Sequence, residues 1–107
     1  MSLTVRNATH RDRYEAIDYP DDAAEGTVAG FADYIHARDQ IVFTHTEVAP
    51  AYEGRGIGGQ LVRGALDDVR ARGLRVIPVC PFVKGWIQRH REYADLVGDQ
   101  GPDNTAG

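Results

Sequence analysis

The stretch Ala51-Tyr52-Glu53-Gly54-Arg55-Gly56-Ile57-Gly58-Gly59-Gln60 runs directly into Leu61-Val62-Arg63-Gly64-Ala65-Leu66-Asp67-Asp68-Val69-Arg70. Glycine fills four of the six positions from 54 to 59. Behind them Leu61, Val62, Ala65, Leu66 and Val69 recur at helical spacing, with Asp67, Asp68, Arg70 and Arg72 on the other side. The spacing predicts a helix over Ile57–Arg72, closed by Gly73, with Leu74 packing back on the last turn. The helix therefore starts inside the glycine run. Unpaired N–H groups at a helix N-terminus, together with the positive end of its dipole, form an anion site, and a phosphate is its natural occupant. Glycines this dense weaken a helix start unless another group must come close, which sets the loop apart from a merely flexible linker.

Upstream, the pattern is that of strands. Thr4–Thr9 and Arg13–Asp18 are short, and Tyr19-Pro20-Asp21-Asp22 supplies turn chemistry after the second. Thr27–His36 alternates loosely, and Arg38-Asp39 can turn the chain into the β-branched run Gln40–Val48, which Pro50 ends by removing a ladder donor. Short connections between these strands predict an antiparallel meander. Downstream, Arg75–Val79 has the character of a short buried strand, and Pro81 suits the first turn of a second helix, Phe82–His90. Tyr93–Val97 is expected to pack on the domain. The strands on either side of the glycine-led helix should lie parallel. The expected class is α/β (α+β), a mixed, mostly antiparallel sheet of about five strands with one parallel crossover and two main helices. One domain is expected over residues 1–97, with a polar tail over 98–107 that has nothing to bury and is expected to be disordered.

Composition narrows the function class. Hydrophobic residues make up 42% and charged residues 26%, which is globular rather than disordered usage. A net charge of −4 speaks against general affinity for nucleic acid or an anionic membrane. The N-terminus lacks a signal-peptide apolar region and no run approaches a membrane span, so a cytoplasmic location is expected. Cys80 is the single cysteine, and His10, His36, His45 and His90 show no metal-ligand spacing, so no metal site is expected.

Three phosphate loops fit a glycine run before a helix. A nucleotide P-loop needs Gly-Lys-Ser/Thr, and none follows Gly58. The dinucleotide pattern G-x-G-x-x-G matches literally at Gly54, Gly56 and Gly59, but Pro50–Glu53 separate it from the strand. Val79-Cys80-Pro81-Phe82 also stands where an acid should end the next strand. The remaining choice is an acyl-CoA loop. Here the chain resembles the GNAT N-acetyltransferases, whose signature is Gln/Arg-x-x-Gly-x-Gly/Ala between a strand and a helix. Gly56 and Gly58 match, and Glu53 stands where Gln or Arg is usual. The run Phe43–Val48, Glu53–Gly59 and Cys80-Pro81-Phe82 looks like the short GNAT-like (YjdJ-type) subgroup, over roughly residues 4–97.

The resemblance implies acetyl-CoA (coenzyme A) lying in a V between the strand ending at Val48 and the strand starting at Arg75. It implies main-chain contacts from Thr46 and Val48 to the pantetheine arm. The cofactor loop would be Glu53, Gly54, Arg55, Gly56, Ile57, Gly58 and Gly59, with the 54–59 amides on the pyrophosphate. Larger members carry two helices between their first strands. Ala8–Arg13 leaves room for only a turn, so the acceptor side should be open, suiting a large or exposed amine. The implied activity is acyl transfer from acetyl-CoA to an unidentified amine. A non-catalytic acyl-CoA-binding module is the alternative, because the tyrosine that often protonates the leaving thiolate is missing or displaced.

Acyl transfer needs a base for the amine. His45 and Glu47 share one strand face by period two, and Thr46 and Val48 share the other, which makes His45 or Glu47 the candidate base. A solvated Glu and a packed His fit the same pattern. Cys80 precedes Pro81 and so takes the N-cap of the second helix, where the helix dipole favours a thiolate. Two roles stay open for it, an acyl relay and a small buried apolar residue.

Overall fold

The computed structural model describes residues 2–21 and 24–98. The chain forms strands β1 (Ser2–Ala8), β2 (Arg13–Tyr19), β3 (Thr27–Ala37) and β4 (Gln40–Val48), then helix α1 (Ile57–Ala71), strand β5 (Arg75–Pro78) and helix α2 (Pro81–Arg89). Short 3-10 turns occupy Thr9–Arg11, Pro50–Tyr52 and Arg91–Leu96. The strands lie in the order β1-β2-β3-β4-β5. All neighbours are antiparallel except β4 and β5, which α1 joins as a parallel pair.

The expected strands are present; the first starts two residues earlier than expected and ends one residue earlier, where Thr9 enters the 3-10 turn instead of the ladder. That turn is all that separates β1 from β2, so no helix pair walls this side. Gly98, the first residue of the expected tail, is tied to the sheet. The Gly98 N–H donates to the Val76 carbonyl at 2.8 Å, and Val97 bridges Val76 in parallel. Residues 99–107, and Asp22 of the expected turn, lie outside the described residues.

One face of the sheet carries both helices. The predicted stripe Leu61, Val62, Ala65, Leu66 and Val69 is buried there against Tyr14, Ala16, Ala32, Tyr34, Ile41 and Phe43. Each fully buried Leu or Val contributes roughly 1.5–3 kcal/mol, so this stripe is what fixes α1 on the sheet. Tyrosine hydroxyls pin the edges of the layer. Tyr14 donates to Asp68 and Tyr34 to Asn7, both at 2.6 Å. Burial, reinforced by Asp68, pushes the Tyr14 phenol well above its ordinary range. The Arg91–Leu96 turn packs through buried Tyr93 and Leu96, as expected for that segment.

A bulge in β4 sets the geometry of the site. Asp33 pairs with His45 and Tyr34 with Phe43, so Thr44 is an extra residue in β4. Ile41 and Phe43 point into the helix layer. Past the bulge the parity reverses, and Thr46 and Val48 point there instead, while His45 and Glu47 are exposed on the opposite face.

Candidate active site

Strand β5 pairs with β4 only from Gln40 to Phe43, and the Cys80 N–H then closes on the Phe43 carbonyl at 2.8 Å. From Thr44 onward, β4 runs on without a strand at that edge among the described residues. The N–H of Ala49 donates to the Ala29 carbonyl, so odd-numbered main-chain groups here face β3. By alternation, the main chains of Thr46 and Val48 face outward, toward the gap left by β5. An extended ligand arm finds a strand edge there.

The N-terminus of α1 opens beside this gap. Gly56 is the N-cap, at φ 73°, and supplies no side-chain bond to the helix amides. Gly54 is also left-handed, at φ 82°. A Cβ at either position would meet nothing within 4 Å, so these glycines are required by their backbone angles and face open space. A cleft of about 270 Å³ lies here, lined by Val48, Tyr52, Glu53, Gly54, Gly56, Ile57, Gly58, Gly59 and Phe82. Bare helix amides with an open, side-chain-free cradle before them suit a phosphate group.

Gly58 and Gly59 have a different cause. A Cβ at Gly58 would lie 2.7 Å from the Phe82 ring, and one at Gly59 would lie 3.4 Å from the Trp86 indole nitrogen. Gly58 thus lets α2 lie against the first turn of α1, while a Cβ at Gly59 would only touch the indole. Dense glycine in the loop thus reflects helix–helix packing as well as an open cradle. Phe82 is 43% exposed and walls the cleft, while Trp86 is buried. Trp86 stacks on His90 at 3.8 Å between centroids, and the Arg63 guanidinium lies 5.3 Å above its ring.

The other predicted residues are distributed as follows. Arg55 is exposed and stands 5.5 Å over the Tyr52 ring, outside the cleft lining. Cys80 takes the N-cap of α2 without capping it; its thiol is buried and lies 3.4 Å from the Thr46 hydroxyl. That contact crosses the throat where β4 and β5 part. The His45 imidazole Nε2 lies 3.0 Å from the Glu47 carboxylate, and both side chains are more than half exposed. They stand on the opposite sheet face from Cys80 and Thr46. Tyr93 donates to Asp67 at 2.6 Å and accepts from Arg63 at 3.3 Å, so its hydroxyl is engaged against α1. Burial and the neighbouring Asp67 carboxylate push that phenol upward.

Besides Phe82, the sequence reading did not assign Tyr52 or Asp18 to the site. Tyr52 walls the cleft, and its hydroxyl donates to Asp18 at 2.6 Å. The bond to Asp18 is the main reason the Tyr52 phenol is raised. Asp18 is buried, and its second oxygen has no partner among the described residues. The alternation Tyr14-Ala16-Asp18 places this carboxylate on the apolar face, and that was the available signal. The pair ties the Pro50–Tyr52 turn, which launches the glycine loop, to the end of β2.

The family model for GCN5-related N-acetyl-transferase matches residues 13–96. The chain belongs to this family. Acetyltransferases of the family draw their acyl group from acetyl-CoA, and the cradle at the start of α1 is compatible with its phosphates. The chain is 39% identical over 46 residues to Protein NATD1 of Bos taurus, covering 43% of this chain and 41% of that one. It thus aligns with less than half the length of that relative. Among solved structures it resembles a GCN5-like protein from Staphylococcus aureus, with a TM-score of 0.63 at 20% identity, over 98% of this chain and 100% of the other. It also resembles the ribosomal-protein-S18-alanine N-acetyltransferase of Escherichia coli, with a TM-score of 0.54 at 17% identity, over 79% of this chain and 54% of that one. These two likenesses establish the minimal GNAT fold. No helix of the described residues is long and apolar enough to cross a membrane.

Proposed function

We propose that this chain is an acyl-CoA-dependent N-acyltransferase that moves an acetyl group from acetyl-CoA to the amine of a large or exposed acceptor. The observation that supports it most is the bare N-terminus of α1 opening beside the unpaired stretch of β4. In this reading the amides of Gly54, Gly56, Ile57, Gly58 and Gly59 take the pyrophosphate, with Glu53 at the cleft rim. Arg55 offsets phosphate charge from outside the cleft. The outward main chains of Thr46 and Val48 hold the pantetheine arm.

The thioester supplies an activated carbonyl. Glu47, oriented by His45, takes a proton from the acceptor ammonium, directly or through water, and leaves a neutral amine. A C–N bond then replaces the C–S bond, and the second amine proton balances the departing thiolate, so that CoA leaves as the thiol. The exposed position of His45 and Glu47 suits an acceptor that is itself bulky. The domain of residues 1–97 is the unit we assign to this activity. A single cysteine without a disulfide fits a reducing compartment such as the cytoplasm.

A relay through Cys80 requires its thiol to exchange Thr46 for the thioester. It predicts a mass gain of one acetyl group that disappears in Cys80→Ala. A binding module without turnover is supported by Tyr93, whose hydroxyl is already held by Asp67. The test is thiol release from acetyl-CoA with a panel of amines, proteins included. Acceptor-dependent release that falls at least about a hundredfold in Glu47→Gln supports the transferase, in the range of general-base contributions. Release that no amine accelerates over buffer would leave the binding module.

A further inference from the structure

The sheet face away from the helices holds a buried carboxylate beneath three arginines. Glu15 is fully buried, yet its oxygens accept from Arg6 at 3.0 Å, Arg11 at 3.3 Å and Arg13 at 2.9 Å. Burial alone would raise this carboxyl, but the bonds from Arg13 and Arg6 outweigh it and hold it below the usual range. One carboxylate under three guanidiniums leaves two positive charges on this end of the face. The Arg6 and Arg11 side chains remain 54% and 53% exposed, with donors to spare.

This cluster is in line with the candidate base. The registers Arg6↔Glu15, Glu15↔Phe31 and Phe31↔Glu47 make one row across four strands. Arg13 stacks 4.3 Å over Phe31, and Phe31 sits 6.2 Å from His45 between ring centroids. In the adjacent row Asp33 pairs with both Arg13 and His45. The row therefore carries its charges at its two ends, with carboxylates Asp33 and Glu47 at the β3–β4 end, arginines at the β1–β2 end and the Phe31 ring between them. None of its residues lines the glycine-loop cleft.

We propose that this row is the acceptor track, and that it takes an extended polypeptide bearing an acidic side chain three to four residues from the amine that is acetylated. The inference rests on the transferase reading with Glu47 as base. Strands lie about 4.8 Å apart, so Glu47 is roughly 10 Å from Glu15 and roughly 14 Å from Arg6 along the row. An extended chain advances about 3.3–3.6 Å per residue, which gives the spacing. The ammonium meets the acidic end and the carboxylate meets the arginines, with Phe31 beneath the intervening backbone. Charge complementarity selects both the acceptor and its direction.

The experiment uses capped peptides with a single lysine and either Glu or Gln at three and four residues from it. Binding is read by fluorescence anisotropy and acetylation by mass spectrometry. The Glu peptide is expected to bind about fivefold more tightly than its Gln twin, as suits exposed charge pairs. In the combined variant Arg6→Gln and Arg11→Gln this ratio should fall toward one. Arg6→Glu together with Arg11→Glu, which turns the cluster net negative, should instead favour a twin with Arg in place of Glu. Equal binding of the Glu and Gln twins would overturn the inference, and so would a preference that the arginine variants leave intact. Acid-dependent binding without acetylation would uphold the track and sink Glu47 as base.

Discussion

Two pairs of glycines stand within six positions, Gly54 and Gly56 before α1 and Gly58 and Gly59 in its first turn, and they face different surroundings. Gly54 and Gly56 have left-handed backbones, with open space where a side chain would be. Gly58 and Gly59 lie inside α1 and face α2, where Phe82 presses on Gly58 and Trp86 comes within contact distance of Gly59. The first pair shapes a cradle for something outside the protein. The second pair brings α2 up to wall that cradle. A glycine-rich signature is thus a composite, in which ligand approach and helix packing use neighbouring positions.

The largest expected effect separates the pairs directly. Gly56→Val forces a β-branched residue into a left-handed conformation and puts its side chain into the cradle. Acetyl-CoA affinity should fall about a hundredfold, or about 2.7 kcal/mol, in a titration by calorimetry. Gly56→Asn, which tolerates that backbone, separates conformational strain from lost space. Full affinity in Gly56→Val would mean that the cradle is not where the phosphates lie.

Next comes the anchor of the loop. Tyr52→Phe would leave Asp18 buried with neither oxygen bonded, at a cost of about 1–3 kcal/mol in a denaturant melt. Acetyl-CoA binding should weaken as well, because the turn that launches the loop loses its tie to β2. A variant with wild-type stability and binding would show that the bond only decorates the turn.

The smallest effect is a change of sign. An alanine at Gly58 gains up to about 1 kcal/mol of helix propensity, but its Cβ runs into the Phe82 ring. Because that ring is 43% exposed and can swing, Gly58→Ala should be near neutral or mildly destabilising in the wild type. In a Phe82→Ala background it should stabilise. A double-mutant cycle by thermal melt should give a coupling of roughly 0.5–1 kcal/mol. No coupling would unseat the packing account of the second pair.

Much of this was legible from local pattern. The stripe from Leu61 to Val69 gave α1 its buried face, Pro81 gave the start of α2, and the strand–helix–strand order gave the parallel β4–β5 pair. What stayed hidden depends on long-range partners. Phe82 and Trp86 lie more than twenty residues from the glycines they pack beside, so no local rule ties them together. The bulge at Thr44 reverses the inward side of β4, and only pairing with β3 reveals it. Glu15 is a charge on a strand face, which alternation reads as solvated; three arginines bury it instead. Cys80 was placed correctly at the N-cap, but its contact with Thr46 follows from how β4 and β5 part.

The central claim is that the start of α1 holds acetyl-CoA, and a thermal melt with and without it, with NADH and ATP as controls, tests that most directly. At about 100 times the dissociation constant, binding adds about 2.7 kcal/mol. Each kcal/mol is worth roughly 4–8 °C in a domain of this size. The account predicts a shift of ten degrees or more, about 11–22 °C on those figures, with acetyl-CoA alone, and its loss in Gly56→Val. No shift at millimolar acetyl-CoA, or an equal shift with NADH or ATP, would contradict it.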